Sequence, residues 1–276
     1  MPDLDARLVE LAPGVSVWLQ SPSGHGRPNA GLVVEDDGAT VVDTLLTPLQ
    51  AAPLAAHLEQ QGTLVRRAVL TSSHVEYVGG SSTFWMAARY GRPQTSALLD
   101  QAPNVAGYRR LYPEWADEFD EEFTTRPISH VVNTAAWLTP VVCAVPTGGQ
   151  MAENLVATVP SADVVFAGAM CCFGVTPNAF DGDPAAWADA LAEVGETASV
   201  VVPGIGPVGG PDDVLALQAY LYACVDAEGD PHAIPAGPWD EWGDRHLDAV
   251  NVERAAMLAA GDRSVPPSML QLIGLA

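Results

Sequence analysis

Residues 71–80 have the sequence Thr-Ser-Ser-His-Val-Glu-Tyr-Val-Gly-Gly. The apolar run at residues 67–70 predicts a buried strand before this stretch, and residues 81–88 predict the start of a helix after it. A strand that ends in polar residues and a Gly-Gly turn, followed by a helix, is where α/β proteins place their functional groups. We therefore take residues 71–80 as the centre of the candidate site.

The rest of the chain alternates between strand and helix patterns. Strands are predicted at residues 8–20, 30–34, 40–44, 141–145, 155–159, 164–168 and 199–203. Helices are predicted at residues 48–61, 183–194, 212–226 and near 251–260, with Asp183 placed to cap the second of them. Two β-rich halves with helices between and after them predict an α/β protein in which two sheets pack together and helices lie outside.

Two segments differ from this pattern. Residues 100–127 combine aromatic and acidic side chains, which predicts one or two amphipathic helices. This helical insertion is either a peripheral addition or a lid whose aromatic residues, Tyr112 and Trp115 among them, line a substrate pocket. A second helical addition is predicted as a C-terminal tail near residues 231–276, and we expect residues 1–276 to form a single domain.

The charge of the chain excludes several kinds of partner. The formal net charge is -22, from 34 acidic and 12 basic residues, and none of the basic residues is lysine. This acidic protein is not expected to bind nucleic acid or an anionic membrane, because both need clustered cations. A lysine Schiff base is excluded as well. The composition reflects either a GC-rich genome or a salt-adapted surface.

The sequence also predicts a cytoplasmic location. The 4 cysteines lack the paired spacing of a zinc site and of a secreted disulfide framework. Neither a signal sequence at the start nor an apolar run long enough to span a membrane is apparent. We therefore expect reduced thiols.

Six landmarks occur in an order that resembles the metallo-β-lactamase fold superfamily. They cover most of the chain, from about residue 11 to residue 210. The landmarks are Asn29 with the strand that follows it, residues 41–44, 71–80, 146–155, 164–169 and 202–207. The resemblance implies an αββα sandwich of two mixed β-sheets with outer helices and a cleft at the ends of the sheets.

The metal ligands that this family uses are mostly missing. The family motif is His-x-His-x-Asp-His before Gly-Gly, and its side chains hold one or two metal ions that activate water. The family's seven ligand positions correspond here to Ser72, His74, Glu76, Tyr77, Gly149, Ala169 and Ile205. Only His74 is retained, and Glu76 keeps the charge, so we expect no metal and no cofactor. The alternative is a rebuilt single-metal site from His74, Glu76 and Cys171, since Cys171 is expected on the same strand face as Ala169.

The remaining functional groups predict acid–base chemistry. Imidazole, carboxylate and phenol suit proton transfer, so His74, Glu76 and Tyr77 are the predicted catalytic residues. The predicted substrate-binding residues are Ser72, Ser73, Asp43, Gln150, Cys171, Ile205, Tyr112 and Trp115. Ser72, Ser73, Cys171 and Cys172 are also candidate nucleophiles. Asp43 has an alternative role, which is to hold the neighbouring loop through backbone N–H groups. The histidines outside the stretch at 71–80, which include His25, are interpreted as structural or surface residues.

Two functions remain open at this point. The first is a metal-independent lyase, cyclase, isomerase or hydrolase for a small, neutral, aromatic or polyketide-like substrate, as in secondary-metabolite biosynthesis. The second is a non-catalytic relative that binds a small ligand or a protein partner. A homodimer is the common default for such a chain, although no residue argues for it.

Overall fold

The computed structural model describes residues 5–276, which contain two β-sheets. The predicted start of the domain at residues 1–4 lies outside the described residues. The first sheet contains β1 (Asp5–Ala12), β2 (Val15–Ser21), β3 (Ala30–Glu35), β4 (Gly38–Val42), β5 (Val65–Val69), β6 (Ala88–Gly91) and β7 (His130–Val131). The second contains β8 (Ala136–Trp137), β9 (Cys143–Thr147), β10 (Asn154–Val159), β11 (Val164–Cys172) and β12 (Val200–Ile205).

Both sheets are mixed. The first has the order β1 to β7, antiparallel as far as β4 and parallel from β4 to β7. The second has the order β12-β11-β10-β9-β8, with one parallel pair between β11 and β12. The parallel strands matter for the site, because their carboxyl ends meet at one edge of each sheet.

The structure contains eight α-helices within residues 5–276. They are α1 (Pro48–Gln60), α2 (Val75–Val78), α3 (Pro93–Leu99), α4 (Val105–Leu111), α5 (Pro184–Gly195), α6 (Pro211–Asp226), α7 (Asp248–Ala259) and α8 (Pro267–Leu272). Helix α1 covers the outer face of the first sheet, and α5 and α6 cover that of the second. Thr47 caps α1 and Asp183 caps α5, each by accepting backbone N–H bonds. Among the helices of residues 5–276, none combines the length and apolarity that a bilayer crossing requires.

Three apolar clusters define an αββα arrangement. Val17, Val69, Leu155 and Phe166 belong to a cluster with side chains from both sheets, so the two sheets pack face to face. A second cluster joins α1 to the first sheet, and a third joins α5 and α6 to the second sheet. Each fully buried Leu or Phe in these layers contributes about 1.5–3 kcal/mol through burial. The predicted α/β sandwich with outer helices is confirmed.

Two local predictions were wrong. Residues 8–20 are not one strand but parts of the β1–β2 hairpin, which turns at residues 13–14. The helix predicted to start at residue 81 begins earlier, as α2, and a 3-10 turn at Gly79–Ser82 replaces its continuation. A Cβ on Gly79 would lie 1.8 Å from the Leu46 carbonyl oxygen, and one on Gly80 would lie 2.0 Å from that of Thr44. The Gly-Gly pair is therefore needed for close backbone approach.

Candidate functional site

A cavity of about 640 Å³ lies against the loop that follows β5 and the carboxyl end of β12. We call six of the polar side chains that line it the polar cluster: His25, His74, Glu76, Tyr77, Tyr112 and Asp181. Apolar side chains from the segments near α3 and α4 and from the C-terminal tail line it as well. The insertion that contains α4 therefore forms part of the cavity wall.

The loop after β5 is held by Asp43, which follows β4. One carboxylate oxygen of Asp43 accepts a hydrogen bond from the Thr71 backbone N–H at 2.8 Å, and the other accepts one from the Thr71 hydroxyl at 2.8 Å. The Ala169 N–H donates to the same hydroxyl, which connects the loop to β11. Burial raises the pKa of Asp43 to about 7, although the two hydrogen bonds from Thr71 act in the opposite direction.

His74 contacts one side chain at each ring nitrogen. Its Nε2 lies 2.9 Å from Asp181 Oδ2, and its Nδ1 lies 3.2 Å from Gln150 Nε2. Since the Gln150 amide donates to Nδ1, the ring proton is on Nε2 and is donated to Asp181. Burial disfavours the charged ring, but the charge and hydrogen bond of Asp181 and the charge of Glu76 outweigh it, so the pKa of His74 is raised. Phe180 stacks on the ring, with centroids 6.3 Å apart.

A relay of amides fixes the orientation of Gln150. The Met151 backbone N–H donates to Asn154 Oδ1 at 2.8 Å, so the Asn154 amide nitrogen must point the other way. That nitrogen donates to Gln150 Oε1 at 3.0 Å, which leaves the Gln150 amide N–H for His74. The relay thus sets the tautomer of His74.

Glu76 is buried in the middle of the polar cluster. Its Oε1 accepts the Gly26 N–H at 2.6 Å and lies 3.9 Å from His25 Nδ1. His25 Nε2 lies 2.9 Å from the Thr176 carbonyl, which requires the proton on Nε2. The pKa of Tyr112 is raised well above its usual value by burial, by the charges of Glu76 and Tyr77, and by a hydrogen bond with Glu76. Tyr112 is therefore a neutral phenol.

Tyr77 provides a second neutral phenol. Its pKa is raised well above the ordinary value, first by burial and then by the charges of Glu76 and Asp43. Tyr77 lines the cavity, and none of the hydrogen bonds found within residues 5–276 involves its hydroxyl. It is therefore free to donate to an oxygen of a bound molecule.

Seven of the residues predicted for the site line the cavity, and four do not. Those on the wall are Ser73, His74, Glu76, Tyr77, Tyr112, Gln150 and Ile205. Those behind it are Asp43, Ser72, Cys171 and Trp115.

Three of these four hold the wall in place through packing or hydrogen bonds. Asp43 binds Thr71, as its alternative interpretation anticipated. Ser72 is fully buried and donates to Gln150 Oε1 at 3.4 Å. Trp115 is also buried, and its indole would lie 3.3 Å from a Cβ on Gly26, so it packs the insertion onto the loop before β3.

Cys171 lies on the other side of β11 because of an irregularity in the strand pairing. Gly168 pairs with Pro203 and Cys172 with Ile205, so β11 has two more residues than β12 between these pairs. The expected alternation fails, and Ala169 and Cys172 line the cavity while Cys171 packs in the cluster under α5 and α6. Burial raises the pKa of both thiols, that of Cys171 well above the ordinary value, so neither suits the role of a thiolate nucleophile.

Two members of the polar cluster were missed from the sequence. Asp181 lies in the loop between β11 and α5, two residues before the cap Asp183, and nothing in the local pattern separates it from other loop acids. His25 was interpreted as structural or surface, yet it lines the cavity beside Glu76. His25 lies four residues before the landmark Asn29, and this position was the one sequence signal that could have indicated a place near the site.

The comparison with known proteins agrees with this architecture. No family model matches the sequence. The structure is similar to the metallo-β-lactamase FIM-1 from Pseudomonas aeruginosa in its mono-zinc form, with a TM-score of 0.62 and 20% identity over 84% of this chain and 98% of that one. It is also similar to a metallo-β-lactamase from Erythrobacter litoralis, with a TM-score of 0.59 and 22% identity over 78% of this chain and 99% of that one. The chain has the metallo-β-lactamase fold.

The residues that the sequence resemblance assigns to metal-ligand positions do not fit a metal centre. Gly149, Ala169 and Ile205 have no donor atoms, and the raised pKa of Tyr77 disfavours a phenolate ligand. Among residues 5–276, no three or more His, Cys, Asp or Glu side chains are grouped in a way that could hold a metal ion. The rebuilt site that included Cys171 fails too, since this thiol lies away from the cavity.

Proposed function

We propose that this chain is an enzyme that performs acid–base chemistry on a small molecule, without the metal centre typical of its fold. The observation that carries the proposal is a hydrogen-bonded His74–Asp181 pair, 2.9 Å apart, in the wall of a cavity that also contains the unpartnered phenol of Tyr77. A positioned base and a positioned proton donor are the minimum for proton transfer at a carbon next to a carbonyl.

In this proposal His74 is the general base and Asp181 positions it. Asp181 accepts the Nε2–H and stabilises the imidazolium, while Nδ1 holds the lone pair. Nδ1 accepts the substrate proton once the substrate replaces the hydrogen bond from Gln150. Gln150 lines the cavity, so it is within reach of a bound molecule.

Tyr77 acts on the oxygen at which negative charge develops. A phenol with a raised pKa keeps its proton through the physiological range and donates a hydrogen bond to an enolate oxygen. Glu76 holds Tyr112 and the Gly26 loop in place. Isomerisation, elimination or cyclisation of a neutral carbonyl compound is the chemistry that this set supports best.

A second candidate rests on a different feature of His74. Both of its ring nitrogens already have partners, Asp181 and Gln150, so the ring is satisfied without a substrate. This favours a non-catalytic protein that binds a small ligand in the same cavity.

The test is exchange of carbon-bound protons in deuterium oxide, followed by NMR. Chelator-treated protein is incubated with a panel of neutral ketones, esters and aromatic β-dicarbonyl compounds. We expect exchange in at least one compound, with a loss of at least about a hundredfold in His74→Gln. The matched control is His232→Gln, because His232 is exposed and outside the cavity.

The pH profile separates the base from a structural histidine. Because Asp181 raises the pKa of His74, Asp181→Asn shifts the rising limb of the rate profile to lower pH. Exchange that is equal in wild type and His74→Gln would refute the base assignment. Saturable binding without exchange across the panel would favour the non-catalytic candidate.

A further inference from the structure

We propose that the cavity takes an elongated, mainly apolar molecule whose polar end donates a hydrogen bond and carries no negative charge. This inference names the substrate class and relies on the proposed function only for the place of the reaction. Binding of such a molecule needs no turnover, so the two claims are tested separately.

The first argument is an apolar path from solvent into the cavity. Leu98, Val265 and Leu275 line the cavity and are 42%, 38% and 55% exposed, so they lie at its mouth. Leu98 belongs to α3, whereas the other two flank α8, so separate segments supply apolar side chains to one opening. Met269 and Ile273 of the tail line the cavity too, and Met269 is buried. An apolar chain that lies along this path gains free energy from burial at every methylene.

The second argument is the charge of the polar cluster. Glu76 and Asp181 each carry a carboxylate there, the two histidines of the cluster already lie against these carboxylates, and the cluster contains no arginine. A ligand carboxylate beside them would meet like charge in a poorly solvated space, which is unfavourable. Arg110 of α4 lines the cavity as well, but it is exposed on the insertion.

The third argument is an acceptor atom that lacks a donor. Asp181 Oδ1 is buried and has no hydrogen-bond partner within residues 5–276, although Oδ2 of the same carboxylate is bonded to His74. Buried acceptors without partners are costly. The Asp181 side chain is 31% exposed and lines the cavity, so a rotation of its carboxylate brings this oxygen to a ligand hydroxyl or amine that donates to it. The volume of about 640 Å³ suits one such molecule of drug-like size.

Calorimetric titration with three decyl probes tests the class of the polar end. The probes are 1-decanol, decylamine and decanoate, below their aggregation concentrations at pH 8. We expect decanol and decylamine to bind at least tenfold more tightly than decanoate. In the series hexanol, octanol and decanol, we expect about fourfold tighter binding per added methylene.

Two variants locate the apolar chain. Leu275→Asp places a charge at the mouth and is expected to weaken decanol binding at least tenfold. Leu272→Asp is the matched control, because Leu272 is 47% exposed on the same tail but does not line the cavity. Equal losses of decanol affinity in both variants would contradict the proposed apolar path.

Arg110→Gln tests the reverse orientation. If decanoate binds most tightly of the three probes and loses its affinity in Arg110→Gln, the cavity takes a ligand whose acidic end lies at the insertion. This result would overturn the proposal. If the decyl probes bind as expected but the protein exchanges no carbon-bound protons, the substrate class stands and the proposed catalysis fails. If exchange occurs in small ketones and no decyl probe binds, the substrate class fails and the catalysis stands.

Discussion

At the scale of single residues, the burial of the Asp43 carboxylate has the clearest cost in free energy. The carboxylate is fully buried after β4, and its pKa is raised from 3.8 to about 7. Between these two pH values the unfolded chain loses the proton that the folded chain keeps. The folded state therefore binds more protons in this window, so the contribution of Asp43 to stability is fully present below pH 4 and is lost as the pH rises towards 7.

We predict that Asp43→Asn removes this pH dependence. Wild-type protein should lose up to about 1.4 kcal/mol of unfolding free energy per pH unit, relative to the variant, between about pH 4 and pH 7. Urea unfolding at several pH values measures it, and Asp189→Asn, at an exposed position on α5, is the control. Parallel curves for wild type and Asp43→Asn would show that the carboxylate stays ionised when buried.

His74 and Asp181 show the limit of residue-level prediction. His74 was found because it keeps a position of a known motif. Its partner Asp181 is 107 residues away in the sequence, and only the fold brings the two to 2.9 Å. Local patterns carry no information on such long-range pairs.

At the scale of elements, α5 closes the space that a metal ligand would need. A Cβ on Gly149 would lie 2.7 Å from the Ala186 carbonyl oxygen and 2.7 Å from Trp187 Cα, both in α5. Gly149 also has a φ of +112, which is disfavoured for other residues. A histidine at this position, as in the related motif, does not fit.

We predict that Gly149→Ala lowers the free energy of unfolding much more than Gly62→Ala does. Both glycines have positive φ, but a Cβ on Gly62 meets nothing within 4 Å. Gly62→Ala should cost about 1 kcal/mol from backbone strain, and Gly149→Ala at least about 3 kcal/mol because of added overlap with α5. Urea unfolding compares the two, and similar losses would mean that α5 moves away easily.

The strand β11 shows why side-chain direction was mispredicted within a correct element. Its position in the sequence was expected, but strict alternation assumes a regular ladder. The extra residues opposite β12 break that ladder and turn Cys171 away from the cavity. Such an irregularity depends on both strands, so one strand's sequence does not reveal it.

At the scale of the whole molecule, repulsion among acidic side chains opposes folding. The net charge is -22, and the ion pairs between side chains are mostly near the surface, where they contribute little. Added salt therefore screens the repulsion among acidic side chains more than it screens the attraction within ion pairs. Raising the ionic strength from 10 to 150 mM shortens the screening length from about 30 Å to about 8 Å.

We predict that raising the ionic strength from 10 to 150 mM stabilises the protein by roughly 1–2 kcal/mol, which raises Tm by several degrees. Thermal unfolding in NaCl measures it, and KCl at the same ionic strength separates screening from binding of a specific cation. A Tm that falls with salt would mean that ion pairs outweigh the repulsion.

The sequence by itself determined the layers, the net negative charge and the lack of metal-binding side-chain atoms at Gly149, Ala169 and Ile205. These features depend on periodicity, composition and residue type, which are local properties of the chain. Only the tertiary structure decided that His25 and Asp181 join His74 and Glu76, and that Asp43, Ser72, Cys171 and Trp115 lie behind the wall. The reason is physical: the site is assembled from loops of both sheets, and the packing of the sheets, the insertion and the tail sets which side chains meet.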